Sequence, residues 1–208
     1  MEHHLTIVGI GPGSPDYILP AALKVIEEAS LLIGGSRALQ TYAKPWQQSY
    51  KVDSNITGLL EFVRRSLLER DVVVMVSGDP GYYSLLATLG QEVPIHRLHV
   101  IPGISSFQVA FSRIGLPWQS AHLISAHGRE PDPSSLIYEK GCILSFLTDG
   151  KNNPARIAGW LRQQGWTLPT RIWLCRNLSY EDETILATTL EDTLQVSGFD
   201  SCVMVVME

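Results

Sequence analysis

No segment of this sequence approaches the roughly 20 consecutive apolar residues that a helix needs to cross a bilayer. No block of lysine and arginine is dense enough to hold a phosphate backbone, which requires clustered cations. With 16 Lys and Arg against 21 Asp and Glu, the formal charge is −5. Neither a membrane nor a nucleic acid is therefore expected as a partner. Cysteine is scarce: Cys142, Cys175 and Cys202 are odd in number, lie in or beside apolar runs and show no C-x-x-C spacing. Buried thiols are expected in place of disulfides, zinc or a nucleophile. The start of the chain lacks the charged and apolar regions of a signal peptide, so a cytoplasmic enzyme is expected. His3, His4, His96, His99 and His122 have no metal-ligand spacing beyond adjacency, and no protein-bound metal is expected.

What is present is a chain of 208 residues, 45% of them apolar, enough for one large or two small hydrophobic cores. Leu5-Thr6-Ile7-Val8 reads as a strand running into Gly9-Ile10-Gly11-Pro12-Gly13-Ser14, and Leu19, Ala22, Leu23, Ile26 and Ala29 then recur at helical spacing. With Leu31-Leu32-Ile33 after them, the pattern is strand, helix, strand. It repeats in the helical stripe Ile56, Leu59, Leu60, Val63 and Leu67, followed by the all-apolar run Val72–Val76, which suits a strand buried on both faces. After Val100-Ile101 and the turn Pro102-Gly103, Ser105 and Gln108 fit a capping box, so Ser105 starts a helix that stops near Gly115-Leu116-Pro117. A domain boundary is placed there, giving α/β domains at 1–115 and 116–208. The second half offers strands at His122–Ser125, Cys142–Leu147, Arg171–Cys175, near Ile185–Ala187 and at Cys202–Met207. Asn153-Pro154 opens a helix that Gly165 closes.

Three Gly-rich turns each follow a strand, and the carboxyl ends of strands are where open α/β sheets bind ligands. Gly9-x-Gly11-x-Gly13 invites comparison with a dinucleotide fingerprint, yet position 14 is Ser and no acidic residue ends the next strand. In Ser77–Gly81, Asp79 is either a carboxylate facing a ligand or the first residue of a type I turn with Pro80 second. Pro102–Ser106 either binds an anion at a helix N-terminus or is ordinary capping.

These loops, in this order, resemble those of the tetrapyrrole methylases: an N-terminal Gly-Pro-Gly, then Gly-Asp-Pro, then Pro-Gly-x-Ser-Ser. Within that family, Val-Ser-Gly-Asp-Pro-Gly-Tyr-Tyr-Ser at 76–84 and Ser-Ala-His-Gly-Arg at 125–129 look most like the cobalt-precorrin-7 C-5 methyltransferases of cobalamin biosynthesis. The resemblance covers essentially the whole chain. It implies two α/β domains, each a mixed sheet flanked by helices, with the active site in the cleft between them, and a homodimer. It implies S-adenosyl-L-methionine as methyl donor, leaving as S-adenosyl-L-homocysteine, with donor contacts at Pro12, Gly78, Asp79, Tyr82, Ser105, Ser106, Leu147, Asn177 and Leu178. Tetrapyrrole contacts fall at Gly11, Gly13, Ser14, Tyr83, His127 and Arg129. Fused relatives carry a second domain that methylates C-15 and removes a carboxylate. This chain is too short for one, and a separate protein is expected to take that step.

No Ser-His-Asp or Cys-His set is evident, and methyl transfer needs none: a reduced tetrapyrrole is already nucleophilic, and alignment alone supplies about 7–11 kcal/mol. The substrate's carboxylates call for local cations. Arg129, in a Gly-containing loop, is the first choice, with Arg113 and Arg37 behind it. His127 hydrogen-bonds the substrate, acts as a base, or only shapes the loop. Three alternatives remain: a family member with another acceptor, a nucleotide- or dinucleotide-binding protein, and a non-catalytic scaffold.

Overall fold

Residues Val72–Val76 are buried along their whole length, and the computed structural model, which describes residues 2–208, shows why polarity is excluded there. The strand is the middle one of five in a sheet covered on both faces. The first unit runs β1 (Leu5–Gly9), α1 (Pro20–Glu28), β2 (Leu31–Gly34), α2 (Ser36–Tyr42), β3 (Gln48–Lys51), α3 (Ile56–Ser66), β4 (Val72–Val76), α4 (Leu86–Leu89), β5 (Leu98–Ile101). The strand order is β3-β2-β4-β1-β5. Alternate residues face opposite sides of a pleated strand. Val72, Val74 and Val76 join Leu59 and Val63 of α3 on one face, while Val73 and Met75 join Ala22 and Ile26 of α1 and Ala38 of α2 on the other.

All four strand pairings in this sheet are parallel, which corrects the expectation of a mixed sheet in the first domain. Each pair of consecutive strands is joined across a helix, and such crossovers return the chain in the same direction. Strand β3 has no counterpart in the sequence pattern. Its residues, Gln-Ser-Tyr-Lys, form an exposed edge with no apolar alternation to reveal it. Just before it, buried Gln47 finishes α1: its Nε2 donates to the carbonyls of Ile26 and Ala29 at 2.7 Å each. Its Oε1 accepts from the Lys44 amide at 2.8 Å. One side chain thus satisfies carbonyls that the end of a helix leaves open.

The second unit contains α5 (Ser106–Ile114), β6 (Ala121–Ser125), β7 (Ile143–Leu147), α6 (Pro154–Gln163), β8 (Arg171–Arg176), β9 (Thr184–Thr189), α7 (Leu190–Thr193) and β10 (Val203–Met207). Its sheet, ordered β6-β7-β10-β8-β9, is mixed as expected: β6 and β7 are parallel and the other pairings antiparallel. Leu144, Phe146, Leu174 and Met204 form its core with Ile157, Ala158 and Leu161 of α6. Asn153 caps α6 by accepting from the Arg156 amide at 3.0 Å. At the other end Gly165, at φ +93°, lets the Trp166 amide reach the Leu161 carbonyl at 3.1 Å, a Schellman stop.

The chain divides between Ser105 and Ser106, earlier than the position near Gly115 read from composition. Gly115, at φ +69°, ends α5 in the same way, with the Leu116 amide on the Phe111 carbonyl at 3.1 Å. Because α5 packs on β10, this turn is a helix stop within the second unit. Burial pushes the Cys175 thiol up to about 12 and that of Cys202 to about 11. Both are unreactive core residues. Among the described residues no helix is long and apolar enough to cross a membrane.

Gln47→Leu is expected to strand the Ile26 and Ala29 carbonyls and to cost about 1–3 kcal/mol, read as a lower urea midpoint with an unchanged slope.

Candidate functional site

Strands β4, β1 and β5 are neighbours and parallel, so their carboxyl ends deliver the loops at 10–14, 77–81 and 102–105 side by side. The loops are joined by backbone. The Ile10 amide donates to the Val76 carbonyl at 3.0 Å, and the Gly78 amide to the Gly11 carbonyl at 2.8 Å. The Tyr82 amide meets the Asp79 carbonyl at 3.2 Å, so Asp79 does open the turn expected of it. Its side chain goes further: Oδ1 accepts from the Gly81 amide at 2.7 Å and Oδ2 from the Gly103 amide at 3.0 Å. The carboxylate therefore ties the second loop to the third.

Two glycines make this packing possible. A Cβ on Gly103 would stand 2.2 Å from the Gly78 carbonyl oxygen, and one on Gly9 would stand 2.6 Å from both that oxygen and the Gly103 nitrogen. Gly11 and Gly78, at φ +80° and +67°, occupy the left-handed region that other residues enter at a cost. Buried Ser105 lies against Gly78. Thus Gly11, Pro12, Gly78, Asp79 and Ser105 share one cluster of loops. Gly13 is half-buried, and Ser14 uses its hydroxyl to accept from the Asp16 amide at 3.2 Å, capping a short turn. Tyr82 is half-buried with its phenol pushed above its ordinary value, first by burial and then by Tyr83. Tyr83 is exposed at φ +48°, and the two rings meet edge to face at 4.9 Å. Arg37 is exposed in the first turn of α2.

In the second unit, register aligns Ser125, Leu147, Val203 and Cys175 in a row across β6, β7, β10 and β8. Since β6, β7 and β8 run in the same direction, His127, Arg129, Leu147, Asn177 and Leu178 all fall at one edge of that sheet. Ser106 begins α5 of this unit. His127 and Arg129 are exposed, whereas Leu178 is buried. Asn177 and Ser179 stand at φ +51° and +73°; with Tyr83 they are the non-glycine residues of positive φ among the described residues. Such backbone persists where its surroundings hold it, commonly at ligand sites.

Here the restraint comes from two acids that sequence reasoning does not single out. The Asn177 side-chain amide donates to Asp182 at 2.6 Å, and the Ser179 backbone N–H donates to Glu183 at 2.7 Å. Glu183 also accepts from Arg113 Nε at 2.6 Å, so Arg113, a sequence candidate for a substrate carboxylate, is engaged with a carboxylate of its own unit. Burial opposes ionisation of Glu183, but the bonds from Arg113 and Ser179 outweigh it and hold its pKa below the ordinary value. Among the described residues no group of three His, Cys, Asp or Glu is placed to hold a metal ion.

Gly103→Ala is expected to lose about 1–3 kcal/mol or more by forcing backbone apart. Gly159→Ala, on α6 with open space around it, should gain about 0.5–1 kcal/mol; thermal denaturation separates the two. For Glu183 the folded pKa is lowered, so its contribution is complete above the ordinary carboxylate pKa of about 4.3 and is lost as pH falls through the folded value. Glu183→Gln should accordingly flatten the acid limb of a plot of urea midpoint against pH.

Comparison with known proteins places these loops in a family. The chain matches the Tetrapyrrole (Corrin/Porphyrin) Methylases over residues 4–194. It is 31% identical over 194 residues to the probable cobalt-precorrin-7 C(5)-methyltransferase of Methanocaldococcus jannaschii, covering 89% of each chain. It is 30% identical over 181 residues to the cobalt-precorrin-7 C(5)-methyltransferase of Salmonella typhimurium, covering 87% of this chain and 88% of that one. The uroporphyrin-III C-methyltransferase of Thermus thermophilus, solved with S-adenyl homocysteine, superposes with a TM-score of 0.78 at 22% identity over 99% of this chain and 92% of that chain. The chain belongs to the tetrapyrrole (corrin/porphyrin) methylases, and it is an S-adenosylmethionine-dependent methyltransferase.

Proposed function

We propose that this methyltransferase methylates C-5 of a corrin precursor, cobalt-precorrin-7, in cobalamin biosynthesis. The observation that carries the proposal is the convergence of the three loops at the carboxyl ends of β1, β4 and β5, tied by Asp79. Relatives about 30% identical over most of their length carry the C-5 name, and the loop Ser125–Arg129 supports the same acceptor.

The residues present fit a donor with a carboxylate, an amine and a nucleoside. The loops offer backbone polar groups where glycine allows close approach, together with the buried hydroxyl residue Ser105 and the half-buried Tyr82. Pro12, Gly78, Asp79, Tyr82, Ser105 and Ser106 are the proposed donor contacts, joined by Leu147, Asn177 and Leu178. S-adenosylmethionine supplies an electrophilic methyl group on a sulfonium. Gly11, Gly13, Ser14 and Tyr83 are proposed to meet the tetrapyrrole. Arg129 supplies the fork for one of its carboxylates, an interaction of about 4 kcal/mol at about 4 Å and an effective dielectric of about 20 before desolvation.

His127 is the candidate for moving a proton. Its Nδ1 lies 3.4 Å from the Thr148 carbonyl. If the neutral ring carries its proton there, Nε2 is left as the acceptor. The main task of the protein is alignment of donor and acceptor, and the rigidity of the loop cluster serves that task.

Titration calorimetry with S-adenosylhomocysteine, with NAD as comparison, should give micromolar binding of the first and none of the second; the reverse result would replace this proposal with a dinucleotide site. Asp79→Ala should weaken that binding by about ten- to a hundredfold, the equivalent of one charge-assisted hydrogen bond. Arg129→Ala should raise KM for cobalt-precorrin-7 while leaving the homocysteine affinity unchanged. Methylation of a different tetrapyrrole in preference to cobalt-precorrin-7, followed by mass spectrometry, would move the assignment to another acceptor within the family.

A further inference from the structure

The loop at 126–129 has its backbone tied while its two chemistry-bearing side chains remain exposed. Strands β6 and β7 are parallel neighbours, with Ser125 opposite Leu147, so the loops that follow them emerge together. The loop after β7 is anchored in the sheet. Buried Thr148 accepts through Oγ1 from the Cys202 amide at 2.8 Å and donates toward the Asp200 carbonyl at 2.9 Å. Asp149 then folds that loop on itself, its Oδ1 accepting from the Lys151 and Asn152 amides at 2.8 and 2.6 Å.

The loop after β6 hangs from this anchor. The Gly128 amide donates to Asp149 Oδ2 at 2.6 Å. Asn152, only 2% exposed, sends Nδ2 to the carbonyls of Ala126 and Arg129, both at 2.8 Å. The bonded residues 126, 128 and 129 thus bracket His127 and include Arg129. Gly128 stands at φ +71° with no atom within 4 Å of the place a Cβ would take, so its conformation is set by these bonds and not by crowding. The backbone hydrogen bonds, those from Asn152 and Gly128 chief among them, hold the Asp149 carboxyl below its ordinary pKa.

We propose that Asp149 and Asn152 are positioning residues that set the acceptor specificity of the loop Ala126–Arg129. Asp149 fixes the turn at Gly128 and Asn152 holds its two ends, and together they aim His127 and Arg129. The assignment rests on the acceptor role given to that loop above. The aim of these side chains matters because reacting groups tolerate misplacement of only about an ångström before rates fall by roughly a hundredfold.

The decisive variant is Asp149→Asn. Its amide oxygen retains the bonds to Lys151 and Asn152, while its NH2 group meets the Gly128 N–H donor to donor, so the link between the loops is broken selectively. Hydrogen exchange of the full chain should show amides at 126–129 exchanging about tenfold faster or more. The KM for cobalt-precorrin-7 should rise by about tenfold or more, with S-adenosylhomocysteine affinity and melting temperature close to wild type. Gly128→Ala, which forces a side chain into positive φ without touching Asp149, should reproduce the rise in KM. Unchanged exchange at 126–129 or unchanged KM in Asp149→Asn overturns the assignment, as does a parallel loss of homocysteine binding and melting temperature, which would make the link a general support of the unit. A wild-type protein that binds S-adenosylhomocysteine but shows no quenching of its tryptophan fluorescence by cobalt-precorrin-7 overturns the acceptor reading and this assignment with it.

Discussion

The contact on which the three Gly-rich loops depend is the approach of their backbones around Gly9, Gly78 and Gly103, closed by the Asp79 carboxylate. Glycine at two of these positions is demanded by distance, since an added Cβ would lie 2.2–2.6 Å from backbone atoms. The carboxylate then supplies what close approach alone does not: a bond from the Gly103 amide to Oδ2, across the space between two loops. Its other oxygen fixes the turn from which it springs. A residue that the family resemblance marks as a donor contact is thus also the tie that gives the loops their shape, and either role alone would account for its presence.

The second unit reaches a comparable result by different means. Where the first sheet uses parallel strands to bring carboxyl ends together, the second inserts β10 between β7 and β8, antiparallel to both. Two reversals restore the direction, so β8 ends at the same edge as β6 and β7. The loops at that edge are held by side-chain carboxylates and one amide: Asp149 and Asn152 on one side, Asp182 and Glu183 on the other. Each acts on backbone N–H or C=O groups, or on the amide of Asn177, and none is in an element interior.

Much of this is legible in the residues. The run Val72–Val76 announces a strand buried on both faces, and Asn153-Pro154 with Gly165 marks both ends of α6, because apolar runs and caps are local signals. The three Gly-rich turns mark the loop cluster. What escapes is non-local or weakly patterned. Gln48–Lys51 is polar, and its place as a strand is owed to pairing with β2. The turn at Gly115 looks like a linker because a helix stop and a linker share composition; only the packing of α5 on β10 tells them apart. Arg113 is a reasonable partner for a substrate until Glu183, far away in sequence, is found to hold it. Asp149-Gly150 carries a turn signal, but nothing local says that its carboxylate reaches Gly128.

The placement of β10 also bears on the order in which the molecule can be assembled. Its neighbours β7 and β8 are both made earlier, yet they have no pairing with each other in the finished sheet. During synthesis they must wait apart, or pair provisionally, until Val203–Met207 leaves the ribosome and slides between them. In the first unit β4 likewise enters between the earlier β1 and β2, but that unit is complete once Ser105 has emerged and can fold first. Its loop cluster would then exist before the second sheet has closed, and the interval between the two events is when exposed edges of β7 and β8 are open to wrong partners.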